Sequence, residues 1–201
     1  MSTPIQFYFD YSSPYGYFAA MRIDELAAKY GRQVEWHPIL LGVIFKTTET
    51  KPLMHIPLKG EYSKHDLLRT ARFHQIDFVI PANFPVATQQ AARATLWVQN
   101  TCGKDKAKQF AKKLFQTFFA DGVDISEVPP ILKAAEDVGL DSLELANGMI
   151  QQEIKDQLKE EIEHALKLGI FGSPYIIIDG EPFWGFDRFD QIEALLKNGK
   201  I

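Results

Sequence analysis

The chain has a single cysteine, Cys102. One cysteine excludes an intrachain disulfide, a two-cysteine redox motif and a cysteine-rich zinc site. No window approaches ~18 consecutive apolar residues, which excludes a transmembrane helix and gives no reason to expect a membrane partner. Basic residues do not predominate. There are 22 Lys plus Arg against 26 Asp plus Glu, a net charge of −4, whereas nucleic-acid binding usually shows a basic stripe. There is no phosphate loop and no GxGxxG. The five histidines (His37, His55, His65, His74, His164) show no metal-ligand spacing, and none lies in a G-x-S-x-G or H-E-x-x-H setting. Met1 to Phe7 has no basic stretch followed by an apolar core. The expectation is therefore no signal peptide and a reducing cytoplasm.

What is present is globular. Of the 201 residues, 46% are hydrophobic and 15 are Phe, enough for one or two domains with a sizeable core. Ile5–Tyr11 (IQFYFDY) reads as a short buried strand. Ser13 followed by Pro14 is a helix-start signal, and Phe18, Met21, Leu26 and Tyr30 sit at helical spacing. A single helix is predicted over Tyr15–Tyr30, ending at Gly31, with a second strand over Val34–Leu40. This β-α-β opening predicts a parallel pair with a right-handed crossover. Helices are predicted over Glu61–His74, Thr88–Gln99, Lys104–Ala120, Pro129–Val138, Leu143–Met149 and Gln151–Leu168. The run Lys104, Lys106, Lys108, Lys112, Lys113 reads as a solvated face. Tyr175–Ile178 is a buried strand, Asp179-Gly180 a hairpin turn, Pro182–Trp184 an edge strand. Arg188–Lys197 closes the chain as a helix. The order is that of a thioredoxin fold interrupted by a helical block.

Four constellations can carry chemistry. Ser13 and Pro14, with Tyr15, lie where a strand meets a helix start. Free amides and the helix dipole favour an anion there, and a serine hydroxyl can donate to a thiolate. Ser13 reads equally as a plain N-cap. In the second, FGSPY, Ser173 and Pro174 precede a buried strand. A thioredoxin-like fold makes that proline cis, while local sequence alone favours a trans loop proline. In the third, Asp187 can cap the last helix or receive an ammonium group, and Arg188 can pair with a carboxylate or with Asp187. The fourth is Thr50-Lys51-Pro52 with Lys59 and Asn83-Phe84, where solvated lysines and a turn asparagine are equally open readings.

Taken together, FYFDYSSPYGYFA, KP…PLKGEY…DLLR, IPANFP, DISEVPPILKAAEDVGLD and FGSPY…GFDRFD resemble one family over nearly the whole chain. The sequence is similar to the 2-hydroxychromene-2-carboxylate isomerases. These are relatives of the kappa-class glutathione transferases within the DsbA-like thioredoxin superfamily. The resemblance implies an α/β, thioredoxin-like domain (1–45 and 150–201) with an inserted all-helical domain (46–149), glutathione as cofactor, and a homodimer. It implies that Ser13 faces the glutathione sulfur and that Ser173 offers main-chain bonds to the cysteinyl part. Phe186 and Asp187, with Arg188, would hold the γ-glutamyl end, and Lys59 the glycyl carboxylate. Thr50, Lys51, Asn83 and Phe84 would line the substrate side. Thr50 departs from the family, whose members usually carry Asn there, which leaves substrate identity open. The implied chemistry is reversible thiolate addition to a conjugated double bond of a ring-opened hydroxybenzylidenepyruvate. Two alternatives stay open. One is a kappa-like transferase joining glutathione to electrophiles, and the other is a non-catalytic thioredoxin-fold binding protein. The stretches Phe110–Phe119 and Phe84–Val86 read either as dimer interface or as core.

Overall fold

A computed structural model describes residues 3–201. Met1 and Ser2, which open both the 1–45 segment and the stretch read for a targeting signal, lie outside the described residues. The chain opens with β1 (Ile5–Phe9), α1 (Pro14–Ala20), α2 (Ile23–Lys29) and β2 (Val34–Pro38). Then follow α3 (Leu41–Thr47), a 3-10 turn (Leu53–His55), α4 (Lys59–His74), α5 (Gln89–Cys102), α6 (Lys104–Phe119), α7 (Val128–Asp137), α8 (Ser142–Gly148) and α9 (Gln152–Lys167). The end is β3 (Tyr175–Ile178), β4 (Glu181–Trp184), a 3-10 turn (Phe186–Arg188) and α10 (Phe189–Asn198).

The sheet order is β2-β1-β3-β4. β1 runs parallel to β2, with Phe7 opposite Trp36, and antiparallel to β3, with Phe7 opposite Ile176. β4 pairs antiparallel with β3. This is the thioredoxin-like order, with α3 to α9 between the two halves of the sheet. Both faces of β1 are covered. Ile5, Phe7 and Phe9 join a core with Tyr17, Phe18, Trp36, Phe110, Phe115 and Phe119. Tyr8 points the other way, to Ile39, Ile44, Ala165 and Tyr175. Strand alternation produces this division. Phe110, Phe115, Phe118 and Phe119 have no exposure, so Phe110–Phe119 is core. One core therefore joins the sheet to the inserted helices.

Three expectations are corrected. The helix predicted over Tyr15–Tyr30 is two helices, α1 and α2. At the break the turn tightens, with Arg22 N–H donating to Ala19 O at 3.0 Å. The Arg22 guanidinium leaves to bond the His74 carbonyl at the end of α4, 2.5 Å away, a cation on a helix C-terminus. The second strand stops at Pro38, and the following residues form α3. The lysine run on α6 is not a solvated face. Lys108 and Lys112 pair with Asp24 at 3.2 and 2.7 Å, Lys113 with Asp137 at 3.1 Å, and Lys104 with Glu35. The Lys112 ammonium also lies 5.6 Å from the centre of the Trp36 ring. α6 packs on α1, α5 and α7, and its lysine stems reach across to α2 and β2, where their heads find carboxylates.

Candidate active site

β1 ends at Phe9 and the chain turns through Asp10-Tyr11-Ser12 into α1. Asp10 makes the turn: its C=O accepts from Ser13 N–H at 2.9 Å, and its Oδ1 accepts from Ser12 N–H at 2.8 Å. Ser13 then caps α1, with its Oγ accepting from Gly16 N–H at 3.0 Å. The same Oγ donates to the Ser173 carbonyl at 2.7 Å. The Ser173–Pro174 peptide bond is cis. Ser13 is thus both the N-cap of α1 and the partner of the cis-proline loop. The loop approaches because residue 16 is glycine. A Cβ there would lie 2.8 Å from Ser173 Oγ and 3.0 Å from Ser13 Cβ.

In the first turn of α1, Pro14 has no N–H, Gly16 N–H goes to Ser13 Oγ and Tyr17 N–H to Ser13 O at 2.9 Å. Among the described residues the Tyr15 amide is the first-turn donor left without an acceptor. The Tyr15 hydroxyl donates to Asp66 Oδ2 on α4 at 2.5 Å. Burial, then Asp66, pushes the Tyr15 phenol well above its ordinary pKa, so it stays a neutral donor.

Ser13, Pro14, Tyr15, Ser173 and Pro174 line an open cleft of about 1000 Å³. One wall is apolar: Leu40, Leu41, Val43 and Phe45 around α3, Pro52, Leu53 and Met54, and Phe84, Pro85 and Val86. The Phe84–Pro85 bond is also cis. The opposite wall carries Phe171, Trp184, Phe186, Asp187 and Arg188. Phe171 and Trp184 meet edge to face at 4.8 Å. Phe186 is buried against His74 at 4.7 Å and Phe18 at 5.8 Å, a wedge under the site. Arg188 donates to Asp187 at 2.8 Å, with both side chains largely exposed. Asp187 caps nothing, since neither the 3-10 turn nor α10 has a side-chain cap.

Four sequence-predicted residues do not line the cleft. Thr50 Oγ1 bonds Thr48 Oγ1 at 2.8 Å in the exposed loop after α3, with Lys51 beside it. Lys59 is the exposed first residue of α4, and Asn83 Nδ2 donates to Asp124 at 3.3 Å on the surface. The residues that sequence reasoning missed are Lys46 and His74, both on the cleft, and above all Asp10. An aspartate two positions before a serine is a local turn signal that points to it. Burial pushes the Asp10 carboxyl above its usual range, against bonds from Ser12 N–H, Thr88 Oγ1 and Leu41 N–H.

The family model of the DSBA-like thioredoxin domain matches residues 4–197. The chain is 28% identical to the 2-hydroxychromene-2-carboxylate isomerase of Sphingobium xenophagum over 198 residues, spanning 98% of this chain and 99% of that one. It is 27% identical to glutathione S-transferase kappa 1 of Homo sapiens over 204 residues, 96% of this chain and 90% of that one. A solved 2-hydroxychromene-2-carboxylate isomerase superposes with a TM-score of 0.88 at 22% identity, covering 97% of this chain and 95% of that one. With the sheet order, the cis proline before β3 and the capped α1 already described, these matches lead to one statement: the chain belongs to the DSBA-like thioredoxin domain family.

Proposed function

We propose that this protein is a glutathione-dependent isomerase. It interconverts 2-hydroxychromene-2-carboxylate and trans-o-hydroxybenzylidenepyruvate, or a related aromatic-degradation intermediate. The observation that carries the reading is Ser13 Oγ, a hydroxyl donor on the carbonyl of the residue before cis Pro174, in a cleft with an apolar wall. In this reading residues 1–45 and 150–201 form the thioredoxin-like part that receives the sulfur. The helical insertion, 46–149, adds Pro52, Leu53, Met54 and the stretch Phe84–Val86 to the apolar wall.

The residues present fit glutathione. Ser13 O–H and Tyr15 N–H are donors for the sulfur, and the Ser173 main chain takes the cysteinyl part. Asp187 and Arg188, already an ion pair, can exchange each other for the ammonium and carboxylate of the γ-glutamyl end, beside Phe186. Lys59, at the exposed start of α4 and outside the cleft lining, is the cation assigned to the glycyl end. When bound, glutathione supplies a sulfur nucleophile that adds to the conjugated double bond, allows rotation, and is expelled. The protein's part is to keep that sulfur ionised. Lowering a thiol pKa from about 8.5 to about 7 takes ~2 kcal/mol. α1 has only 7 residues, so its dipole contributes toward the lower end of the usual ~0.3–1 kcal/mol. A hydroxyl bond to an anion is worth ~1.5–3 kcal/mol, less the ~0.5–1.5 of the Ser13–Ser173 bond it replaces. The sum, about 0.3–3 kcal/mol, is centred below the ~2 kcal/mol required, so the Tyr15 amide is the second donor the site needs.

Thr50, Lys51, Asn83 and Phe84 are assigned to the substrate side. A kappa-like transferase is the second reading. It is favoured by the apolar residues that line the cleft while Thr50, Lys51 and Asn83 stand outside it. A homodimer in a reducing cytoplasm goes with either reading.

The test has two stages. Calorimetry and melting at millimolar glutathione come first. Binding at 100 times Kd adds ~2.7 kcal/mol to stability, and no shift returns the chain to a non-catalytic binding role. Turnover of a chromene carboxylate is then compared with that of an activated aromatic chloride. The isomerase reading expects the first to be faster; a faster chloride reaction selects the transferase.

A further inference from the structure

Asp10 carries more of the cleft than any residue the sequence singled out. Its side chain is buried, at 3% exposure for the residue. The three groups bonded to its carboxylate are neutral donors. Oδ1 accepts from Ser12 N–H at 2.8 Å and Thr88 Oγ1 at 2.7 Å, and Oδ2 accepts from Leu41 N–H at 2.6 Å. Its main chain reaches two more residues: Asp10 N–H donates to Ser173 Oγ at 3.0 Å, and Asp10 C=O accepts from Ser13 N–H at 2.9 Å. All five partners line the cleft. They come from the β1–α1 turn, the start of α3, the entry to α5 and the loop before β3.

A buried carboxylate with no cation paired to it among the described residues is an expensive way to hold a turn. Elsewhere this chain builds similar turns at the surface. Asp124 accepts from Ser126 N–H at 2.8 Å, and Asp141 from Leu143 N–H at 2.9 Å, without such burial. The carboxylate at position 10 differs in what it joins. It has two acceptor ends, and each is needed by a different wall. Oδ1 holds the serine turn to Thr88 of the helical insertion, while Oδ2 holds the first amide of α3, a helix whose own N-cap residue, Leu40, provides no side-chain cap.

We propose that Asp10 is a positioning residue for the reaction. It acts through Ser13: by holding the turn that carries Ser13 and the loop that carries Ser173, it fixes the Ser13 hydroxyl where the sulfur is received. The inference rests on the reading in which the Ser13 hydroxyl meets the glutathione sulfur.

The test is a double-mutant cycle on glutathione-dependent turnover. Asp10→Asn keeps the shape but places an NH2 group against one of the N–H or O–H donors. It is expected to lower kcat about tenfold in the wild-type background while KM for glutathione changes by less than about threefold. In a Ser13→Ala background the same change is expected to cost less than about twofold, because the group it positions is gone. Equal losses in both backgrounds, or no loss in the first, overturn the proposal. Thr88→Val removes one bond and leaves Asp10 in place. It is expected to give a smaller loss, about threefold, with the same dependence on Ser13. If Asp10→Asn does not fold, this second cycle decides, and additive losses there overturn the proposal. A wild-type protein that neither binds nor uses glutathione removes the underlying reading and this inference together. Wild-type turnover with additive variants removes the inference alone.

Discussion

Replacing Ser13 by alanine removes one oxygen that serves two partners in the free protein. It accepts from Gly16 N–H at 3.0 Å and donates to Ser173 O at 2.7 Å. Losing a helix cap costs ~1 kcal/mol, and the hydrogen bond to Ser173 adds ~0.5–1.5 kcal/mol. The expected loss of stability is therefore about 2 kcal/mol, a fall in Tm of about 4–8 °C for a chain of this size. Activity has a separate magnitude. A hydroxyl bond to a bound thiolate is worth ~1.5–3 kcal/mol, less the ~0.5–1.5 of the Ser173 bond it replaces, so kcat should fall about tenfold. The pKa of the bound thiol should rise by about one unit. Three measurements follow: the melting curve, the thiolate absorbance of bound glutathione against pH, and kcat at saturating glutathione. A variant that melts several degrees lower but keeps wild-type turnover and thiolate titration would leave Ser13 as a cap alone and refute the role given to its hydroxyl.

Gly16→Ala tests the close approach of α1 and the cis-proline loop. Its Cβ would lie 2.8 Å from Ser173 Oγ, so turnover should drop at least as far as in Ser13→Ala even though alanine favours helix; unchanged kinetics would contradict the geometry. Phe115→Ala opens a cavity under Phe9, Tyr11 and Tyr17, whose ring centres lie 5.6, 4.8 and 6.0 Å away. The expected loss of ~3–5 kcal/mol, read by denaturant unfolding, should appear as one transition for sheet and insertion together, because they share this core. Burial, and then Arg22, hold the His74 imidazole below its ordinary pKa. The unfolded chain therefore takes up that proton first as pH falls. The stability linked to His74 is present above pH ~6.5 and is lost on acidification. His74→Gln should flatten the slope of stability between pH ~7 and ~5, and a slope as steep as wild type would count against it.

Where an element is set by its own residues, the sequence was a good guide. β1 follows from IQFYF, α1 from Ser13-Pro14, the hairpin from Asp179-Gly180, and α4 to α9 from 3.6-residue periodicity. The failures share a cause. α3 carries Gly42, Val43 and Ile44, poor helix formers, and its first amide is held by an aspartate 31 positions earlier. The break before α2 coincides with Arg22 leaving for the end of α4. The lysines of α6 looked solvated because Asp24, Glu35 and Asp137 are distant in sequence.

The same division runs through the site. By itself the sequence determined the parts: a serine at a helix start, a proline before a buried strand, one lone cysteine that rules out dithiol chemistry. These depend on residue type and near neighbours. Only the tertiary structure decided that Ser13 Oγ meets Ser173 O across 160 positions, that the cleft is walled by α3 rather than by Thr50 and Lys51, and that Asp10 ties those walls together. Such contacts form when the sheet and the helical insertion close on a common aromatic core. A buried polar group takes whichever partner that closure brings within reach, and local residue patterns do not specify the partner.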